Sequence, residues 1–413
     1  MSAATGNRDP VVTGIGALTP LGQTAPATWR GLVEGRSGIG PIERFDASDL
    51  PVRIAGEIRG FDAEALLGTK RARRSARFSQ LAVAAAREAV TDAGLQVTPD
   101  RTGVVINAAV GGGPETEENV RLRLERGARE VSPYYVPSTI LNMAACEVAI
   151  DLGVHGPVSA SALACASGTA AVLEARRLIL AGEADVVIAG GTDAGIGPTL
   201  LAGLALMGPL SERNDAPQQA SRPFDSDRDG FVFGEGAVVM VVESAAHAQA
   251  RGATAYGSVA GGALTSDAFH MSAPEPSGVH AARAIELALE RAGVRPGELD
   301  YICAHGTATR ANDRSETRAI RIALGADADR VPASSPKSMV GHLIGAAGAL
   351  SVMVCLLAMR DGVLPPTTNL ETPDPECDLD YVPLQARPAS VRTAAANAFG
   401  FGGQNCVVVL RAS

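Results

Sequence analysis

"LAVAAAREAVTDAGLQVTPDRTGVVINAAVGGG" (residues 81–113) has a near twin in "HAARAIELALERAGVRPGELDYICAHGTAT" (residues 280–309). Each opens as an alanine-rich helix, stops at Ala-Gly (Ala93-Gly94 and Ala292-Gly293), and passes through a short loop into an apolar strand. Glycine is expected just past the last helical residue, because it takes the left-handed backbone conformation without steric cost. The predicted strands cover residues 103–107 and 301–304. A second pair follows the first. "CASGTAAVLEARRLILAGEADVVIAGG" (165–191) and "GAAGALSVMVCLLAMRDGVLPPT" (345–367) each read as a small-residue helix and its exit turn. Strands alternating with helices predict parallel sheets covered on both faces. The repetition predicts two similar halves, residues 1–251 and 252–413.

A chain of 413 residues is long enough for two such units with a sizeable core. Aromatic residues make up only 4% while glycines number 46, so the core must be built from Ala, Val, Leu and Ile in closely approaching layers. With 36 basic residues against 45 acidic ones, the chain is no general binder of nucleic acid or membrane surfaces. The N-terminal "MSAATGNRDP" has no apolar run and predicts no signal peptide. The apolar stretch 346–359 is too short to span a bilayer and reads as a buried helix, so a cytoplasmic location is expected. The six cysteines form no CxxC pair, which argues against both a zinc scaffold and a disulfide framework. Residues 210–230 and 272–278 are the expected surface loops.

Cys165 stands in "SALACASGTAA" (161–171), among side chains that are nearly all small. A core thiol is the ordinary reading. At the head of the helix expected from residue 166, however, the dipole and free amides would favour its thiolate, and its own amide could hold an oxyanion. His305 follows an apolar strand directly, where α/β proteins place ligands. His342 lies five residues after Lys337 in "SSPKSMVGHLIGAAG" (334–348). Together these four are the parts of a thiol active site: nucleophile, proton-handling imidazoles and a cation. A Cys/His metal site is the rival, weakened because no two ligands have local spacing.

"GIGALTPLG" (14–22) hints at a dinucleotide loop, but Thr19 stands where the third glycine belongs. "FGFGGQN" (399–405) suits a hinged aromatic gate, built on Phe399 and Phe401, better than a phosphate cradle. Lys70, Arg73, Arg74 and Arg77 fall at helical spacing, either as a solvated basic face or as a dock for an acidic partner.

Taken together these segments resemble the β-ketoacyl-acyl carrier protein synthases of the thiolase fold, in particular bacterial type II elongating condensing enzymes and polyketide ketosynthase subunits. The resemblance runs nearly end to end, from "VVTGIGALTPLG" through "SPYYVPSTILNM", "ACASG", "SRPFDSDRDGFVFGEGA", "AHGTATRAND" and "SSPKSMVGHLIGAAGA" to "NAFGFGGQN". It implies an α/β thiolase fold of duplicated halves in a layered α-β-α-β-α sandwich. It further implies Cys165 as nucleophile, His305 and His342 as the histidine pair, and Lys337 as the nearby cation. Thr307 and Thr309 match threonines that hold the phosphopantetheine arm. Phe401 matches the gate and second oxyanion donor, while Asp313 and Glu316 match supporting carboxylates. Val110 matches the acyl-pocket wall, and Tyr135 an aromatic at the dimer interface beside that pocket. The Lys70–Arg77 face falls where the family meets its acyl carrier protein.

The implied reaction is a decarboxylative condensation of a malonyl carrier with a Cys-bound acyl chain, without metal or redox cofactor. A homodimer, or a heterodimer with a homologous subunit, is implied as well. Ser351 departs from the pattern: elongating enzymes carry a glutamate there, and Glu316 is the candidate replacement as partner of Lys337. Two other readings compete. A silent chain-length-factor partner would lack the nucleophile. A degradative thiolase would carry a second cysteine as base where this chain has Phe401, and Cys406 falls in the predicted final strand.

Overall fold

The computed structural model describes residues 7–413; residues 1–6, part of the stretch read as carrying no signal peptide, lie outside the described residues. Ten strands make one sheet: β1 (Pro10–Leu18), β2 (Thr102–Asn107), β3 (Val158–Ser159), β4 (Val186–Asp193), β5 (Gly236–Ser244), β6 (Gly257–Ser266), β7 (Tyr301–Cys303), β8 (Ala333–Ser334), β9 (Thr393–Gly400) and β10 (Gln404–Arg411). Their order is β8-β7-β9-β10-β6-β1-β5-β4-β2-β3. Outward from the centre, β1-β5-β4-β2-β3 on one side repeats as β6-β10-β9-β7-β8 on the other. The pairing pattern repeats too, with two antiparallel contacts and then two parallel ones in each half. The expectation of parallel sheets therefore holds only for the outer strands. Between β9 and β10 the reason is local: a tight turn at Gly402-Gly403 can only return the chain antiparallel.

Six helices complete the layers: α1 (Arg77–Asp92), α2 (Met143–Leu152), α3 (Ser167–Leu180), α4 (Val279–Ala292), α5 (Arg310–Leu324) and α6 (Ala347–Asp361). The twin helices α1 and α4 end as the sequence predicts, with Gly94 and Gly293 at φ of +56° and +61°. Helices α1 and α2 cover the outer face of the first half, and α4 and α5 that of the second. Between the halves lie α3 and α6, packed on both. The result is an α-β-α-β-α sandwich. The apolar run Ile344–Asp361 has the length and composition to cross a membrane, yet 83% of it is buried as the central α6 layer.

Backbone proximity explains the small residues. A Cβ at Gly168 of α3 would stand 2.5 Å from the Ala349 nitrogen, and one at Gly348 of α6 only 2.6 Å from the Thr169 nitrogen. The two central helices thus meet main chain to main chain at their N-terminal ends. Gly14 and Gly16 of β1 play a comparable part under α1, where a Cβ at Gly16 would fall 2.0 Å from the Ala85 carbonyl oxygen. The glycines of "GIGALTPLG" therefore serve strand–helix packing and not a dinucleotide.

The halves join where β1 meets β6, over just Val11–Ser258 and Val12–Gly257. Beyond that bridge Arg176 of α3 donates to the carbonyls of Val259 and Ala260. The 210–230 segment departs from its reading as a surface loop. Its second part is buried: Phe224 stacks on Tyr381 at 3.5 Å, and Arg228 pairs with Asp313 at 3.3 Å and Asp374 at 2.8 Å.

Candidate active site

Cys165 lies in a single tight turn, Ala164–Ala166, that delivers the chain into α3. The turn opens on Ala164 with φ of +46°, a conformation a side-chain-bearing residue rarely takes. Asn107, at the end of β2, clamps it by accepting from the Ser161 amide and donating to the Ser167 carbonyl. An equivalent turn, Ile344–Ala346, leads into α6 and opens on Ile344 at φ of +48°. The counterpart of Cys165 in the second half is Gly345.

His305 follows β7, and Glu316 on α5 holds its main chain. The Glu316 oxygens accept from the amides of His305 and Gly306, each at 2.7 Å. Asp313 does the same for Thr307 at 3.1 Å and for Phe224 at 2.8 Å. Lys337 Nζ reaches the His305 carbonyl oxygen at 2.5 Å. His342 Nδ1 accepts from the Ile344 amide at 3.2 Å, so its ring hydrogen sits on Nε2, which is buried without a partner. His305 Nδ1 is also buried and unpartnered. The two imidazoles meet edge to face with centroids 5.4 Å apart, backed by Phe399 against His305 and Phe231 against His342. The Cys165 sulfur and one nitrogen of each imidazole all lie within 4.8 Å of one another.

Burial governs the protonation states. It pushes the Cys165 thiol up to about 11, opposed by the Lys337 charge and by the amides of Phe401 and of Cys165 itself pointing at the sulfur. The thiolate expected from a helix N-terminus is thus not the resting state: Cys165 precedes the helix and is largely buried, reached only through the cavity. Burial, reinforced by the Lys337 charge, holds both imidazoles well below their ordinary value. Burial also lowers Lys337, while the fields of Cys303, Glu316 and Cys165 work to keep it charged. A neutral thiol and two neutral imidazoles therefore face the Lys337 ammonium in a largely buried site.

A cavity of roughly 650 Å³ opens onto this group. One part of its lining is apolar, with Val110, Leu200, Leu204, Phe231, Phe233 and Ile344. Another carries Thr307, Thr309 and Asn405, the two threonine hydroxyls 3.0 Å apart. Phe401 stands on the rim with 37% of its surface exposed, on the Gly402-Gly403 turn. Phe399 is buried in the wall. Gly400 has no room for a side chain, because a Cβ there would meet the Leu163 carbonyl at 2.7 Å.

Residues 7–248 match the β-ketoacyl synthase N-terminal domain family, and residues 256–371 match its C-terminal domain family. This chain belongs to the β-ketoacyl synthase family. It is 48% identical over 404 residues to 3-oxoacyl-[acyl-carrier-protein] synthase 2 of Synechocystis sp., covering 97% of both chains. To the protein of the same name from Staphylococcus aureus it is 43% identical, with 98% of each chain covered. Among solved structures, the ishigamide ketosynthase/chain length factor superposes with a TM-score of 0.93 at 34% identity, over 99% of this chain and all of the other. A type II polyketide ketosynthase in complex with its acyl-carrier protein gives 0.92 at 33%, with the same coverage.

Within this synthase the predicted residues are distributed unequally. Cys165, His305, His342, Phe399, Phe401, Thr307, Thr309 and Val110 all line the one cavity. Tyr135 does not: it heads the short helix Tyr135–Thr139 and is not part of the cavity wall. Lys70, Arg73, Arg74 and Arg77 do not share a helix, since Thr69–Ala72 ends before α1 begins. Arg73 is exposed and pairs with Glu64 at 3.5 Å, and Arg74 covers the Tyr134 ring at 4.4 Å. Arg77 is a correction. It is committed to the fully buried Glu235 at 2.8 Å and to the Ile58 carbonyl, and presents no docking charge.

Glu316 makes no ion pair with Lys337; both instead grip the His305 peptide from opposite sides, and Ser351 turns its hydroxyl to the Ala347 carbonyl. Cys406 packs against Ala166, Ala170 and Ala398, away from the cavity lining, which leaves no second thiol base. Cys165, His305 and His342 do have the spacing of a metal site, which sequence distance concealed. The Lys337 charge that already suppresses protonation of both imidazoles would oppose a divalent ion in the same way. The sequence reading missed Asp193, fully buried at the end of β4, whose carboxyl burial pushes up to about 6. A polar residue closing an apolar strand at its carboxyl end was the available signal.

Proposed function

We propose that this synthase is a 3-oxoacyl-[acyl-carrier-protein] synthase, condensing a malonyl carrier with an acyl chain held on Cys165 during fatty-acid or polyketide elongation. The observation that carries this reading is the convergence of one thiol and two neutral imidazoles, within 4.8 Å, at a cavity with an apolar and a polar part. The division of labour follows the halves: residues 1–251 supply the nucleophile, and residues 252–413 supply the histidines and lysine.

The Cys165 sulfur gives up its proton and attacks the acyl thioester carbonyl, and the Lys337 field lowers the cost of that ionisation. The amides of Cys165 and Phe401 hold the oxyanion. The carbon–sulfur bond to the carrier then breaks, and the proton leaves on the carrier thiol. Malonyl carrier enters along Thr307 and Thr309. As its carboxylate carbon departs as carbon dioxide, the bonding electrons move onto the thioester as an enolate. His342 Nε2–H and the His305 imidazole stabilise the enolate oxygen by hydrogen bonding. A buried neutral imidazole donates here without surrendering its proton, which suits a step that needs no acid. The enolate carbon attacks the acyl carbonyl, a carbon–carbon bond forms, and the Cys165 sulfur departs as thiolate and takes up one proton from solvent through the cavity. The dry site protects the acyl-enzyme from hydrolysis.

Lys70, Arg73 and Arg74 are the proposed dock for the acidic carrier, the partner named with one of the superposing ketosynthases. The exposed edge strand β3, with the exposed Ile150 on the α2 helix that packs beside it, is the proposed contact with a second homologous subunit, which would bring its Tyr135 to the pocket. No cofactor beyond the carrier's phosphopantetheine enters this scheme, and the cytoplasm is where such carriers work.

Intact-protein mass after incubation with acyl carrier protein tests the assignment. Wild type gains the acyl mass and Cys165→Ala does not; equal loading of the two overturns it.

A further inference from the structure

Asp193 is wholly buried, and each of its hydrogen bonds comes from a main-chain amide. Oδ1 accepts from Val110 at 3.0 Å and Gly111 at 3.1 Å; Oδ2 accepts from Ala109 at 3.0 Å and Gly345 at 2.8 Å. Among the described residues no basic nitrogen lies within 4.0 Å of this carboxylate, as its absence from every ion pair shows. It therefore serves neither charge pairing nor solvation. What it does is join two segments with different duties. The first, Ala109–Gly111, carries Val110 into the apolar wall of the cavity. The second, the Ile344–Gly345 turn, supplies the amide that fixes the His342 tautomer, and Ile344 itself faces the same wall. The join has no slack: a Cβ at Gly345 would stand 2.5 Å from Asp193 Oδ2 and 3.0 Å from the Ala109 nitrogen. Ile344 at φ of +48° is strained, so its turn needs outside support to keep its shape.

We propose that Asp193 is a positioning residue that couples the acyl-pocket wall at Val110 to the placement of His342, so that the length of the chain on Cys165 is felt by the decarboxylating histidine. This inference rests on the condensing activity proposed above. A chain long enough to press on Val110 displaces the Ala109–Gly111 amides. Those amides share their carboxylate with Gly345, and Gly345 adjoins the Ile344 amide on His342 Nδ1. Asparagine at position 193 would keep the shape but turn an N–H donor toward amides that are themselves donors, leaving at least one of them unpaired.

The test compares wild type, Asp193→Asn and Asp193→Glu for Cys165 acylation and for malonyl condensation, using acyl chains from acetyl upward. With Asp193→Asn, condensation from long chains should fall about 10-fold more than condensation from acetyl. Asp193→Glu keeps the acceptors but adds a methylene to a join without slack, so it should lower condensation from every chain, acetyl included. For Asp193→Asn, a length-independent fall that tracks a lower Tm, or an unchanged selectivity, overturns the coupling. If Asp193→Asn does not fold, the wild-type protein decides by ¹⁵N-histidine spectra of its acyl-enzymes. Long-chain loading should shift the His342 Nδ1 resonance where acetyl loading does not, and identical spectra overturn the proposal. Failure of the underlying activity is distinguishable, because wild type itself would then neither acylate nor condense.

Discussion

Lys337 places its ammonium 2.5 Å from the carbonyl oxygen of His305, so the cation grips the histidine by its main chain and acts on both imidazole rings through space. Removing that charge has a defined consequence. In Lys337→Met both histidines should move up toward the ordinary imidazole value near 6.5. The acid limb of malonyl decarboxylation then shifts to higher pH, because the imidazoles begin to charge sooner. A pH–rate profile with an unmoved limb would show that the rings do not feel this ammonium.

The buried Cys165 thiol predicts its own reactivity. With the thiol at about 11, the thiolate fraction is small at neutral pH. Alkylation of the resting protein by iodoacetamide should accelerate about tenfold per pH unit between pH 7 and 9. A plateau below pH 8 would mean that a thiolate–imidazolium pair exists at rest.

The same histidines link stability to pH. Folded, they bind protons less readily than unfolded, so their neutral burial supports the fold fully above pH ~6.5 and is lost as pH falls toward their folded values. Thermal unfolding of His305→Gln, compared with wild type between pH 5 and 7, should show a shallower loss of Tm on acidification. Parallel slopes would remove His305 from the account.

The basic residues separate into two classes. Arg73→Glu with Arg74→Glu should raise KM for carrier-bound substrates and spare small thioester analogues, since both side chains reach solvent. Arg77→Glu should instead destabilise the fold by about 3 kcal/mol, because it strips the buried Glu235 of its bidentate partner and leaves only Arg44. Urea unfolding and carrier kinetics on the two variants check the division.

Gly348→Ala should cost about 1–3 kcal/mol and slow condensation as well as unfold more easily. The added Cβ meets the Thr169 main chain, which cannot rotate aside, and pushes α6 away from α3. Chemical denaturation with parallel turnover measurements tests this; full activity would show that the helices can part without moving the site.

Much of this was legible in the sequence. The paired helix–Gly–strand segments gave the duplication, because glycine at a helix end has a single steric reason to be there. The chemistry-bearing residues were legible as types: a thiol among small neighbours, two histidines and a lysine. What the sequence hid is whatever depends on burial. The thiol at Cys165 was read from its expected helix terminus, whereas desolvation outweighs that field. Arg77 was read from its spacing, but its partner Glu235 lies 158 positions away. Asp193 was missed because its ligands are amides of two segments far apart in the chain, Ala109–Gly111 and Gly345, and amides carry no sequence signature.

The two matched turns, opening on Ala164 and Ile344, carry a lesson about ancestry. A repeat that folds twice inherits two equivalent elbows, and a one-directional reaction needs only one of them armed. Here position 165 bears the sulfur while position 345 is bare and bound by its amide to Asp193. Because the elbow's shape is secured by its neighbours and not by the side chain at its tip, arming and disarming are single-residue events. A sister chain could lose the sulfur and keep every other contour, which is how one scaffold can furnish both an active subunit and an inert companion that fits against it.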